Sequence, residues 1–190
     1  QLLDEKDEKL ISYLIKHRHT STLEHCLVTF RFKVPLYVRS QHHRHRTWSY
    51  NEISRRYTDF NLEFYTPGSY RTQHDSNRQA SNINESINPV LAGGAQCASL
   101  VANHHEASLN LFNMMIEAGV CREQARGVLP QNMYTEYYGT ANLNNILKFI
   151  DLRIHEGAQW EIQQMARAIL AIAKDLFPVT VGAYEKTKQS

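Results

Sequence analysis

The chain has 190 residues, 42% of them hydrophobic, with 21 Lys and Arg against 19 Asp and Glu and a formal net charge of +2. That apolar content can fill the core of one domain spanning 1–190, and so even a charge balance excludes a generally polycationic nucleic-acid coat. The apolar runs are far shorter than the roughly twenty residues of a membrane span, and no signal-peptide pattern opens the chain, so a soluble, cytoplasmic protein without membrane association is expected.

Residues 4–17 place acids first (Asp4, Glu5, Asp7, Glu8), then Leu10, Ile11, Leu14 and Ile15, then Lys16 and His17. This order predicts an amphipathic helix with charges matched to its dipole. Ser21 and Glu24 have capping-box spacing for a short second helix. Val28, Phe30, Phe32 and Val34 alternate with Thr29, Arg31 and Lys33, as in a strand with one buried face. Pro35 ends that strand and can open a helix, which would carry Gln41 and Arg44 on neighbouring turns of one face. Phe60, Leu62 and Phe64 alternate as a second strand, and 67–89, rich in Asn, Ser, Gln and Gly, reads as a mobile loop able to act as a lid.

Further along, the pattern predicts a long helix over 95–118 stopped by Gly119, a shorter one over 121–127, and a strand carrying Met133, Thr135 and Tyr137. Asn142 can cap a helix to about Leu152, and a final helix is expected over 158–176 before Pro178. Strands and helices mix without β-α-β repetition, which predicts an α+β fold. None of the eight glycines forms a dinucleotide or P-loop fingerprint. Three cysteines without C-x-x-C spacing argue against a disulfide framework or a zinc ribbon.

The densest chemistry lies in residues 44–57, which hold Arg44, Arg46, Arg55 and Arg56 among His45, Ser49, Asn51, Glu52 and Ser54. With Arg39, five arginines stand against the single acid Glu52. A guanidinium keeps its charge at any working pH and offers a planar fork of donors, so several together suit an anion with many oxygens. Three owners fit that charge: a phosphate-bearing small ligand, a nucleic acid, or solvent alone. Trp48, Tyr50 and Tyr57 interleave with the arginines and weigh against plain solvated surface. His42, His43 and His45, and His104, His105 and Glu106, lack the i, i+4 pair plus third ligand of a zinc site, so no metal is expected.

Arg44, His45 and Arg46, followed by seven residues and then Ser54, resemble the signature of the flavin-dependent thymidylate synthases, the ThyX family. The likeness extends to His19-Thr-Ser-Thr-Leu-Glu-His25, to Ala125-Arg126-x-Val-Leu-Pro130, to Leu152 with Arg153, and to Ala158-Gln-Trp-Glu161. It leaves out mainly 67–94, and it would put the family's first strand before Gln1.

The resemblance implies an antiparallel sheet with flanking helices, assembled as a homotetramer with shared active sites. It implies methylation of dUMP to dTMP with FAD as cofactor, methylenetetrahydrofolate as carbon donor and NADPH as reductant. By similarity, Gln41, Arg44, Glu52, Ser54, Arg55, Arg56, Arg126 and Arg153 would hold dUMP, with Arg153 also polarising the uracil ring. His19, Ser21, Arg44, His45, Arg46, Asn51, Glu52, Asn142, Asn144 and Lys148 would face FAD. Three positions depart from the family pattern: Asn144 where arginine is usual, Lys148 where asparagine or histidine is usual, and Gly157 where histidine is usual. The alternatives are a nucleic-acid-binding module using the 44–56 cluster and a flavoprotein of this fold without methyl transfer.

Overall fold

The computed structural model describes residues 3–54, 62–91 and 93–188. They fall into two compact units, one of Gln1–Thr29, Thr47–Ser49 and Thr140–Ser190, the other of Phe30–Arg46 and Tyr50–Gly139. Among the described residues, no helix is long and apolar enough to cross a membrane.

The first unit is helical. Asp4 caps helix α1 (Glu5–Lys16) by accepting from the backbone of Lys6 and Asp7 at 2.8 and 2.9 Å, while the Asp7 carboxylate accepts from the Asp4 N–H at 3.2 Å. Three backbone donors are thereby satisfied, those of Asp4 and Asp7 reciprocally. At the other end, the Arg18 N–H donates to the Ile15 carbonyl at 3.1 Å and the His19 N–H to the Leu14 carbonyl at 2.8 Å, with Arg18 at φ +57°. This is the Schellman closure, whose left-handed position usually belongs to glycine.

The capping box expected of Ser21 and Glu24 does not form: Thr20–His25 is a 3-10 helix whose cap position, His19, makes no side-chain cap. Helix α2 (Leu36–His42), in the second unit, opens after Pro35, whose side chain makes no cap bond. Helix α5 (Leu143–Ile154) starts as expected, with the Asn142 side chain accepting from the Asn145 N–H at 3.0 Å. It packs on α6 (Trp160–Leu176), which buries Ile162, Met165, Ala166, Ile169 and Ala173 at helical spacing. Pro178 opens a further helix, α7 (Pro178–Lys188), rather than ending the fold's helices at Leu176. A proline lacks only an N–H that the first turn leaves unbonded anyway. Helix α7 lies against α1 and α6.

The second unit holds residues 30–35 of β1 (Leu27–Pro35), 50–52 of β2 (Ser49–Glu52) and 134–139 of β5 (Tyr134–Asn142), strands that pair in the order β1-β5-β2. Within it, Phe32 stacks on Tyr137 with centroids 4.9 Å apart on the buried face, and Arg31 pairs with Glu136 at 2.6 Å on the exposed one. That alternation is the period of two that the sequence shows. Of the expected strand at 60–64, Phe64 makes an isolated bridge to Met133, Leu62 lies outside any strand, and Phe60 lies outside the described residues.

Helix α3 (Cys97–Glu117) ends at Gly119, φ +86°, in the same Schellman closure as α1, with Gly119 and Val120 donating to Ile116 and Met115 at 3.0 and 2.9 Å. Helix α4 (Arg122–Ala125) runs into a 3-10 turn, Arg126–Val128. Phe112, Ala125, Leu129 and Met133 form the core under these elements. The loop expected over 67–89 is instead largely a hairpin, β3 (Tyr70–Gln73) against β4 (Ser81–Ile87), antiparallel with Tyr70 opposite Ile87, Gln73 opposite Ser81 and a bulge between Arg71 and Thr72. Its cross-strand contacts are polar, Arg71 to Ser81 at 2.9 Å and Asn82 to Thr72 at 3.0 Å, so no apolar alternation announced it.

Candidate functional site

Helix α2 ends at His42, so Arg44 lies beyond it and not on its face as the spacing suggested. The chain closes a tight turn there: the His43 N–H donates to Arg39 at 2.9 Å, Arg44 to Gln41 at 3.3 Å and His45 to His42 at 2.9 Å. Tyr50, on β2, donates its hydroxyl to the carbonyls of His42 and His45 at 2.8 and 3.1 Å, tying the turn back to the sheet. Fully buried His42 meets the Tyr137 hydroxyl through Nδ1 at 2.8 Å. Burial raises the pKa of both phenols, so each is neutral at working pH.

Glu52 is the other anchor. Its Oε1 accepts from Thr135 Oγ1 at 2.7 Å and lies 3.2 Å from Arg39 Nε, so Oε2 takes no part in either contact. On this braced turn Arg44 and Arg46 are exposed, and neither makes an ion pair among the described residues. His43 is held below its ordinary pKa, first by burial and then by the Arg39 charge, against a smaller opposing pull from Glu52. Its Nε2 is buried and makes no hydrogen bond among the described residues.

Within this second unit the structure thus gathers Gln41, Arg44, His45, Arg46, Asn51, Glu52 and Ser54 on one helix-turn-strand segment, and holds Arg126 on the 3-10 turn after α4. Arg55 and Arg56, and Tyr57 among the interleaved aromatics, lie outside the described residues. The other two aromatics are framework. Tyr50 bonds backbone as above, and Trp48 is buried edge-on against Phe149 at 5.7 Å, within the first unit.

The first unit carries the remaining candidates. His19 and Ser21 are exposed, on and just after the α1 closure. Asn142 caps α5, and Asn144, only 6% exposed, donates to Glu24 at 3.3 Å. Lys148 stands one turn further along α5 and lines, with Asn144, a cavity of about 600 Å³ between α1, α5 and α7. Arg153 closes the last turn of α5, where burial lowers its pKa yet leaves a guanidinium that is charged throughout the working range.

Sequence reasoning missed Arg39, His42, Tyr137 and Thr135 as the supports of the arginine turn. Tyr137 and Thr135 carried only the alternation of a strand, and pairing across 83 to 95 residues of chain is not visible in spacing.

A sheet of three strands flanked by helices, with exposed guanidiniums on a turn braced by an ion pair and a buried histidine, defines an α+β protein with an arginine-bearing site. A family model described as "Thymidylate synthase complementing protein" matches residues 1–179. The chain belongs to that family. It is 41% identical over 181 residues to a flavin-dependent thymidylate synthase of Thermus thermophilus, covering 95% of this chain but 64% of that relative's length. A relative of the same description from Thermosipho melanesiensis is 40% identical over 183 residues, covering 96% of this chain and 78% of its own. Among solved structures, the UMP/dUMP methylase PolB from Streptomyces cacaoi, bound with 5-Br dUMP, superposes with a TM-score of 0.82 at 28% identity, covering 98% of this chain and 82% of that one.

Proposed function

We propose that the chain is a flavin-dependent thymidylate synthase, converting dUMP to dTMP with FAD as cofactor, methylenetetrahydrofolate as carbon donor and NADPH as reductant. The observation that carries the reading is the braced 41–54 segment: exposed Arg44 and Arg46 on a turn fixed by the His42–Tyr137 and Arg39–Glu52–Thr135 contacts, in a chain of this family. A rigid fork of donors is what a phosphate monoester needs, because little side-chain freedom is lost on binding.

In this reading Gln41, Arg44, Glu52, Ser54 and Arg126 hold dUMP, joined by Arg55 and Arg56. Arg153 sits at the uracil carbonyl and favours the ionised ring, electrostatic activation that needs no protein nucleophile. Its partial burial strengthens that effect, since water screens it less. Bound FAD supplies the redox chemistry. The residues assigned to it are His19, Ser21, Arg44, His45, Arg46, Asn51, Glu52, Asn142, Asn144 and Lys148; all but Glu52, an acceptor that also pairs with Arg39, offer donors suited to a polar, anionic cofactor. At the departure from the family pattern, Asn144 directs its amide to Glu24, and Lys148, over the same cavity, restores the positive charge of the missing arginine. Apolar Leu111 and Met114, exposed on α3, are consistent with assembly into a homotetramer. We place the enzyme in the cytoplasm, where its nucleotide substrate is made.

The test is formation of dTMP from dUMP by the purified chain with FAD, methylenetetrahydrofolate and NADPH. Turnover that needs all three, and a yellow protein that bleaches with NADPH, support the reading; a colourless protein that takes up no FAD and forms no dTMP sinks it. Because PolB is described as a UMP/dUMP methylase, the assay is run with UMP alongside, and preference for dUMP is expected.

A further inference from the structure

His105, on α3 and only 8% exposed, is a buried titratable group that the proposed function leaves unused. Its ring lies on that of Phe64, with centroids 4.9 Å apart and planes at 16°, and its Nε2 meets the side-chain nitrogen of Asn132. The same nitrogen donates to the Tyr65 carbonyl at 2.9 Å, while Asn132 Oδ1 is buried with no hydrogen-bond partner among the described residues. A side-chain amide has two N–H groups, so one serves each acceptor. His105 then presents a bare Nε2 and carries its proton on Nδ1, which is the neutral ring.

A proton on Nε2 breaks this arrangement whichever way Asn132 turns. With the amide as it stands, two N–H groups face each other. With the amide reversed, Oδ1 accepts from His105 but confronts the Tyr65 carbonyl, and the NH2 group moves to a buried place that offers it no acceptor. Burial first, and then the His104 charge on the same helix, hold His105 below its ordinary pKa. The Asn132 contact pulls the other way only with the amide reversed, which Tyr65 opposes. Glu63, the carboxylate on the segment packed against the ring, is committed to Lys33 at 2.8 Å.

The two sides of this contact are not equally anchored. Met133 is buried in the core, and the carbonyls of Gln131 and Met133 accept from the N–H groups of Tyr37 and Leu36 at 3.2 and 3.0 Å. Residues 62–65 lean on that wall through the Tyr65 N–H to Asn132 and the Tyr134 N–H to Glu63, both at 2.8 Å, and through the Phe64–Met133 bridge. We infer that His105 and Asn132 form a proton-operated latch, which holds residues 62–65 on this wall while His105 is neutral and releases them when it takes up a proton. The latch stands without the proposed function. One consequence rests on that reading: Arg55 and Arg56, assigned to dUMP, shortly precede this stretch in the sequence, so release is expected to weaken dUMP binding.

Nitrogen NMR of the full chain reads the tautomer, and a His105 that carries its proton on Nε2 at neutral pH overturns the latch. Hydrogen exchange reads the release. Protection of the Tyr65 and Tyr134 amides, each referred to its intrinsic exchange rate, should fall about tenfold or more between about pH 7.5 and 5.5. The Leu143 amide, bonded to the Cys26 carbonyl in the first unit, serves as the control that holds. His105→Gln offers Asn132 an amide oxygen at any pH and should keep both amides protected throughout. Unchanged protection in the natural chain, or the same fall in the glutamine variant, sinks the inference; if that variant does not fold, the tautomer and the natural chain's exchange decide. Affinity for dUMP is compared between the two proteins at both pH values, which cancels the titration of the substrate's own phosphate. Release by exchange with equal dUMP affinity supports the latch and counts against the Arg55 and Arg56 assignment alone.

Discussion

Burial decides the chemistry available to the paired histidines at the end of α2. His42 has no exposure and a phenol at Nδ1, so it serves as a strut. Tyr137→Phe removes that bond while keeping the ring's packing, and should cost about 1–3 kcal/mol in chemical denaturation; an unchanged midpoint would mean that the bond contributes nothing. His43 sits below its ordinary value of 6.5, so the unfolded chain binds protons that the folded chain resists. Stability should therefore be full above that pH and decline as pH falls through it. His43→Gln should flatten the decline between about pH 7.5 and 5.5, measured as urea midpoints. His105, lowered chiefly by burial and also by the His104 charge, accounts for a further part and should leave a residual slope. Arg153→Ala should abolish dTMP formation while FAD stays bound; surviving turnover would remove Arg153 from ring activation.

Elements whose two faces differ are legible in the amino-acid sequence. The strand through Phe30 and Phe32, the helix begun by Asn142 and the helix stopped by Gly119 all lie where apolar period and cap residue point. The hairpin is not legible in this way, because β4 is polar apart from Ile83 and Ile87, which are both exposed, and its stability lies in pairing between strands eight residues apart at their near ends. Pro178 misleads for a different reason: proline signals a helix start as well as a stop, and only the packing of α7 on α1 and α6 separates the two. Asn142→Ala tests the cap that spacing does reveal. It should lower stability by about 1 kcal/mol, and loss of helicity measured by circular dichroism should track α5. The candidate site divides the same way. The arginines and Glu52 stand out in the sequence, whereas Arg39, Thr135 and Tyr137 need the sheet order to bring them together.

For the whole molecule the charge is small and its placement matters more than its sum. With a net charge of +2, long-range attraction for a nucleotide is weak, so in the proposed function binding would rest on short contacts at the arginine turn. Affinity for dUMP should fall only a fewfold between low and physiological salt, unlike the steep power law of a nucleic-acid coat releasing many counterions. A steep slope in fluorescence titration would favour the nucleic-acid reading instead.

The alternation along β5 bears on how this chain tolerates change in length. Thr135, Tyr137, Gly139 and Ala141 are buried in turn, and the first two grip Glu52 and His42. One residue inserted just before Thr135 would turn both grips to the opposite face. Two would return them to the correct face, displaced along the strand by about 7 Å. Length variation among functional relatives and engineered variants should therefore be absent from β5 and concentrated in the 74–80 hairpin connection, which an insertion library selected for thymidine-independent growth would reveal.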